Sequence, residues 1–311
     1  MRNKKLLGNL LLLFTAFIWG TAFAAQRTGM DSIEPITFNA ARMVLAAAAV
    51  GFLALLNGRG ENAPAADGEL RTLGLNLQLK REIIGGLCCG GFLTAASLAQ
   101  QVGLVYTSAG KAGFITAMYM IMVPVIDRML FKKRQARTVW LAVLLGVGGM
   151  YLLCVTESLS LNRGDVWVGL CALLFSGHIL CCDHFARQGN PLRISAVQFA
   201  AAAVISAVLA LILESPSWHK IQAAFWPIVY CGLISGGLGY TLQMTAQRYT
   251  EPAVASLLMS LESVFAVLAG AVLLDERLAS RELWGCIVMF AAIVTVQFPG
   301  ADRESKGDNR D

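Results

Sequence analysis

The chain has 311 residues, of which 56% are hydrophobic and 14% charged, with a formal net charge of +5. A water-soluble domain carries roughly a quarter charged residues, so this composition excludes one and calls for membrane lipid as the surroundings. The positive balance comes without a basic stripe interleaved with aromatics, and nucleic acid is not expected as a partner.

A membrane-crossing helix needs about 20 mainly apolar residues, because a bilayer core is about 30 Å thick. Ten stretches meet that need in chain order: 6–25, 35–56, 83–105, 108–130, 138–155, 165–185, 194–213, 223–245, 252–274 and 282–298. Backbone amides have no water to bond inside lipid, which predicts helices; the stretches are too long, and alternate too weakly, for barrel strands. The expected fold class is an all-α membrane protein with ten transmembrane helices. Arg2, Lys4 and Lys5, a leucine run and Ala22-Phe23-Ala24 also fit a cleavable leader. A retained helix is expected instead, since cleavage leaves the second half with a helix that the first lacks.

The halves repeat each other. Gln100, Tyr106, Thr107 and Ala112 return 143 positions later as Gln243, Tyr249, Thr250 and Ala255, while Trp19, Pro35 and Arg42 align with Phe175, Pro191 and Gln198 at a spacing of 156. One longer polar loop in the first half, about residues 58–81, absorbs the difference. Five crossings per copy is an odd number, so the copies, 1–155 and 156–298, are expected as two inverted five-helix repeats, followed by a disordered cytoplasmic tail, 299–311.

Placing the amino terminus inside puts 18 of the 25 basic residues at the cytoplasmic face and 6 outside, leaving Arg42 within a span. Both termini are therefore expected in the cytoplasm. All eight cysteines fall in spans without metal or redox spacing, and they read as small buried hydrophobes. Ser108-Ala109-Gly110-Lys111 is not a phosphate loop, because Val105 and Ala112 occupy positions where that motif needs Gly and Ser or Thr. No GxSxG or HExxH is present and histidines number three, so neither an enzyme nor a cofactor is expected.

What remains is a set of polar groups inside spans. Glu262 lies near a span centre, where a free carboxylate costs about 3 kcal/mol or more unless paired, hydrated or protonated. It is a candidate proton carrier or, more blandly, a neutral structural acid. Its counterpart at the 143 offset is Tyr119, and symmetry places both near the twofold axis, where such carriers bind cargo. Arg42 lies one turn beyond Asn39 on the same face; it either holds a substrate carboxylate, pairs with Glu262, or anchors its helix by bonding carbonyls. Gln100 and Gln243 line a cavity or glue helices, Trp19 lines it or merely packs, and His178 either titrates near neutral pH or is a satisfied packing residue. Asp183, near the cytoplasmic end, is expected to be hydrated and not to form a dyad with His178. Gly86, Gly90, Gly232 and Gly236 permit close helix contacts, and Pro124 should bend the fourth span.

Thr107-Ser-Ala-Gly-Lys-Ala-Gly-Phe-Ile-Thr-Ala-Met-Tyr119, Phe17-Ile-Trp-Gly20, Arg42, Leu261-Glu262-Ser-Val-Phe265 and Asp275-Glu-Arg277 resemble the EamA-type members of the drug/metabolite transporter superfamily, over residues 6–298. The resemblance implies ten helices in two inverted repeats, a central cavity, and export of amino acids or related metabolites driven by ion gradients. Ser263 and Met120 stand where many members carry proline, so central proline bends do not carry over. The expected function is secondary active export of a small polar, amino-acid-like metabolite across a bacterial inner membrane, with protons as the coupling partner. The alternatives are broad export of organic cations and a membrane scaffold that moves nothing.

Overall fold

The computed structural model describes residues 2–58, 68–107, 109–133, 135–154, 162–273 and 279–297. The expected tail, 299–311, and Asp275-Glu276-Arg277 lie outside them. Among the described residues the chain is helical, without strands. The helices are α1 (Arg2–Gly29), α2 (Pro35–Gly58), α3 (Gly68–Tyr106), α4 (Ala109–Thr116), α5 (Tyr119–Phe131), α6 (Arg137–Cys154), α7 (Arg163–Ala186), α8 (Pro191–Leu213), α9 (Trp218–Ala223), α10 (Phe225–Val229), a π-helical segment (Tyr230–Tyr240), α11 (Thr241–Ala246), α12 (Pro252–Met259), α13 (Glu262–Leu273) and α14 (Ser280–Gln297).

Eight stretches among the described residues are long and apolar enough to cross a membrane, and the protein is an integral membrane protein. The fifth and tenth expected spans are α6 and α14, of 18 residues each. That length rises about 27 Å, near the lower limit for a crossing. The expected loop at 58–81 is shorter than foreseen, because α3 starts at Gly68 and runs for 39 residues. Its early part, ELRTLGLNLQLKRE, is rich in strong helix formers and contains no proline.

Helix starts follow local chemistry. Pro35, Pro191 and Pro252 open α2, α8 and α12, where a missing N–H costs nothing. Asn162 and Asp165 form a reciprocal capping box at the start of α7. Glu214, just past α8, accepts from the amides of Ile36 (3.0 Å) and Thr37 (2.7 Å), placing a carboxylate on the positive end of α2. At the other end of the bundle, Glu82 of α3 accepts from the amide of Asn190 before α8 (2.8 Å).

Packing is set by small residues. α3 lies against α7 and α8, α2 against α8 and the π segment, α1 against α13 and the π segment, and α6 against α14. A side chain at Gly90 would meet the Gln198 carbonyl at 2.8 Å, and one at Gly149 the Gly285 carbonyl at 2.9 Å, so backbones touch there. Gly86 serves the same α3–α8 contact, and Gly232 lets the π segment approach Arg42 and Leu45.

Three expected spans are irregular. The fourth breaks at Ala117–Met118, between α4 and α5, and the ninth breaks at Ser260–Leu261, between α12 and α13. Pro124 lies within α5, seven residues past the start of that break, and both breaks form without proline. Shorter i→i−3 bonds replace the helical ones: Met118 N to Ile115 O and Met120 N to Ala117 O in one break, Leu261 N to Leu258 O and Ser263 N to Ser260 O in the other. Each bond in the first has its partner in the second at the 143 offset. The Ser260 hydroxyl adds a bond to Leu257 O at 2.7 Å, competing with the helix. The eighth span is divided among α10, the π segment and α11.

Candidate functional site

The two breaks face each other. Tyr119 and Glu262 are the first residues of the helices that restart after them, α5 and α13. The Tyr119 hydroxyl donates to Glu262 Oε1 at 3.0 Å, and both side chains are buried. Gly20 of α1 seats against this point, since a side chain there would come within 2.5 Å of the Glu262 carbonyl oxygen.

Around the pair lies a cavity of about 480 Å³, solvent at its mouth included. Seven of the eight candidates line it: Trp19, Arg42, Gln100, Tyr119, His178, Gln243 and Glu262. Asn39 does not; it stands behind Arg42. Asn39 Oδ1 accepts from Arg42 Nε (3.0 Å) and Nη2 (2.8 Å), while its Nδ2 donates to Ser206 Oγ of α8 (2.9 Å). Arg42 Nη1 donates to Gln26 Oε1 at 2.9 Å. Of the three roles open to Arg42, a pair with Glu262 is not formed, and the carbonyls it bonds belong to side chains. Asn39 and Gln26 take three of the five guanidinium N–H groups, and the Cys231 sulfur is a further hydrogen-bond partner.

Gln198, the counterpart of Arg42, bonds His178 Nε2 through its Oε1 at 3.2 Å. Asp183 is not simply hydrated: it is 8% exposed and accepts from Arg187 at 2.8 Å, with Lys133 3.9 Å away. Gln100 Nε2 reaches Thr116 Oγ1 at 3.4 Å, and Gln243 Nε2 reaches Gln247 Oε1 at 3.1 Å. Gln243 Oε1 is buried with no donor among the described residues, an acceptor open to cargo or water. Trp19 Nε1 donates to the Ser235 carbonyl at 3.0 Å, and its ring lies 4.6 Å from that of Tyr240.

The lining also includes Gln26, Ser235 and Tyr240, which the sequence did not single out. Gln26 was within reach of pattern reading, since Trp19, Phe23 and Gln26 follow an i, i+4, i+7 stripe of one helix face. Ser235 and Tyr240 are five apart, a spacing that shares a face only in a π-helix. A second, open depression of about 1700 Å³, solvent included, lies at the end bearing the amino terminus and is lined by Lys5, Asp127, Lys133, Asp183, Arg187 and Glu251. No residue lines both.

The chain resembles known transporters along most of its length. A transporter from Archaeoglobus fulgidus described as uncharacterized is 29% identical over 297 residues, covering 94% of this chain and 86% of that one. The uncharacterized inner membrane transporter YedA of Escherichia coli is 26% identical over 304 residues, covering 95% and 93%. A solved crystal structure shares the fold with a TM-score of 0.73 at 16% identity, over 96% of this chain and 97% of that one. The EamA-like transporter family matches twice, at residues 6–155 and 162–298. A helical bundle with a polar cavity between paired helix breaks, relatives that are transporters and this double match together assign the chain to the EamA-like transporter family.

Proposed function

We propose that the protein exports a small polar metabolite, amino-acid-like in carrying both a carboxylate and an amine, across a bacterial inner membrane by alternating access, with Glu262 as the proton carrier. The observation that carries this reading is the bond between Tyr119 and Glu262 at the meeting point of two broken helices. Carriers bind cargo where discontinuous helices leave polar ends near the membrane centre. Arg42 presents its charge in the cavity lining to a carboxylate, and Glu262 opposes an amine. Gln100 and Gln243 supply neutral hydrogen bonds between them.

The halves 1–155 and 156–298 act as two five-helix repeats in opposite orientation, ten crossings in all, with both termini in the cytoplasm. The double family match and the paired breaks support this. So does the packing: exchanging each helix for its counterpart turns the α3–α7 contact into that of α1 with the π segment and α11, and returns α2–α8 and α6–α14 to themselves.

Uptake of radiolabelled amino acids into everted vesicles, with and without an imposed pH gradient, tests the proposal. Gradient-stimulated uptake that Glu262→Gln abolishes is expected; undiminished, pH-insensitive uptake in that variant excludes the proton role. A second reading, export of aromatic or aliphatic cations, is favoured by the rings of Trp19, Phe23, Tyr119, Phe175 and Tyr240 in the lining. It predicts uptake of tetraphenylphosphonium, and improved uptake after Arg42→Gln.

A further inference from the structure

One contact occurs twice, once at each end of the bundle. At the end away from the amino terminus, α7 begins against the close of α3: a side chain at Gly164 would meet the Gly103 carbonyl at 2.7 Å and Thr107 Cβ at 3.0 Å, and the Thr107 hydroxyl donates to Asp165 Oδ1 at 2.9 Å. At the amino-terminal end, α1 lies against the close of α11 in the same way. A side chain at Gly8 would meet Thr250 Oγ1 at 2.6 Å and the Ala246 carbonyl at 3.0 Å, and the Thr250 hydroxyl donates to Asn9 Oδ1 at 3.0 Å. Gly8 and Asn9 precede Gly164 and Asp165 by 156, and Ala246 and Thr250 follow Gly103 and Thr107 by 143. All four partners are counterparts.

The two copies differ in charge. Asp165 is an anion where Asn9 is neutral, and Lys111, whose counterpart is Val254, reaches Asp165 Oδ2 at 2.6 Å. Asp165 is buried and Lys111 mostly so, a setting in which a charge-assisted bond is stronger than a neutral one. Other links between the halves, ion pairs among them, stand at both ends, so the difference is one between equivalent positions. Glu214 on α2 and Glu34 with Lys220 close the same far end, while Glu82 with Asn190 and Arg193, and Lys133 with Asp183, join the amino-terminal end. The larger open depression is nevertheless found at the amino-terminal end.

We infer that this repeated contact is a pair of unequal latches, and that the Lys111–Asp165–Thr107 copy biases the resting carrier toward closure at the far end and opening at the amino-terminal end. The inference rests on the alternating-access reading above. Its physical content is that opening the far end breaks a buried ion pair, while the equivalent place at the other end joins two uncharged side chains, Thr250 and Asn9. The bias is thus written in two positions, 111 and 165, of an otherwise duplicated contact.

Hydrogen–deuterium exchange on the full chain in lipid nanodiscs reads each end separately, through segments 101–107 and 163–168 at the far end and 4–11 and 244–250 at the amino-terminal end. Lys111→Met is expected to speed exchange at the far end about tenfold, the loss of one charge-assisted bond, while the amino-terminal end keeps its native rate or slows. Lys111→Arg should restore the native pattern. Asn9→Asp with Val254→Lys, which transplants the charge, should slow exchange at the amino-terminal end and speed it at the far end. Native far-end rates in Lys111→Met, or equal acceleration of both ends, overturns the inference. Because exchange is read without cargo, a failed latch leaves vesicle uptake intact, whereas a failed transport reading shows as absent uptake with these rates as expected.

Discussion

The Tyr119 hydroxyl and the Glu262 carboxylate, 143 residues apart in the chain, meet at 3.0 Å, each on the first residue of a helix that resumes after a break. Two residues at the 143 offset thus meet, each at the start of a resumed helix, and they differ in chemistry. A tyrosine facing a tyrosine offers no proton carrier, and a glutamate facing a glutamate is a repelling pair if both ionise. One of each gives a single acid with a built-in donor.

Tyr119→Phe and Glu262→Leu, which removes the acceptor that a glutamine would keep, should therefore be strongly coupled. A buried hydrogen bond contributes about 1 kcal/mol between neutral groups and about 1.5–3 kcal/mol to a charged acceptor, so thermal unfolding of both single variants and the double should give a coupling energy of about 1–3 kcal/mol. A coupling near zero means the bond contributes nothing in the membrane. Tyr119→Phe should also move the pH profile of uptake while leaving cargo affinity nearly unchanged.

Asn39→Leu removes both bonds that Asn39 makes to Arg42 and leaves the buried guanidinium under-satisfied. Destabilisation of about 3 kcal/mol is expected, as for a buried charge deprived of its partner. Arg42→Met alone should cost less stability, because no charge is left behind, yet should abolish uptake of carboxylate-bearing cargo. Chemical denaturation compared with vesicle uptake separates the two effects.

Gly239→Ala places a methyl group 2.7 Å from Trp19 Nε1. The indole must shift and lose its bond to the Ser235 carbonyl, at a cost of about 1–3 kcal/mol. A changed indole emission maximum together with a lower melting temperature checks this, and Gly51→Ala, which meets nothing within 4 Å, is the neutral control.

Glu34 and Lys220 give the far end a pH dependence. The hydrogen bond from Lys220, outweighing the opposing effect of burial, holds the Glu34 carboxyl below its ordinary range. A carboxylate with a lowered folded value stabilises the closed loops above its ordinary range, and that contribution is lost as pH falls through the lowered value. Exchange in residues 30–36 should therefore accelerate on acidification to the acid side of the carboxylate range. Lys220→Met should flatten that response. Both side chains are partly exposed, so the change in overall stability should be small.

The sequence carried the helical class, most span positions and the equivalence of Tyr119 with Glu262, because apolar length and a constant offset are properties of the chain itself; their bond is a finding of the structure. It did not carry the breaks at Ala117–Met118 and Ser260–Leu261, where no proline marks the site and shorter backbone bonds take over. Nor did it carry Ser235 and Tyr240, since an α-helical count turns them away from one another and only a π register brings them to one face. Asn39 was placed on the right face but one layer too far in: its contribution is to hold Arg42, not to touch cargo.

The separation of Arg42 from Glu262 has an electrical consequence. Both charges are fixed to helices, so the membrane potential works mainly on what crosses, at about 2.3 kcal/mol per elementary charge per 100 mV. A zwitterion crosses without feeling the voltage. In the proposed cycle a proton carried on Glu262 does feel it, so that residue, and not the cargo, decides whether the whole cycle passes current.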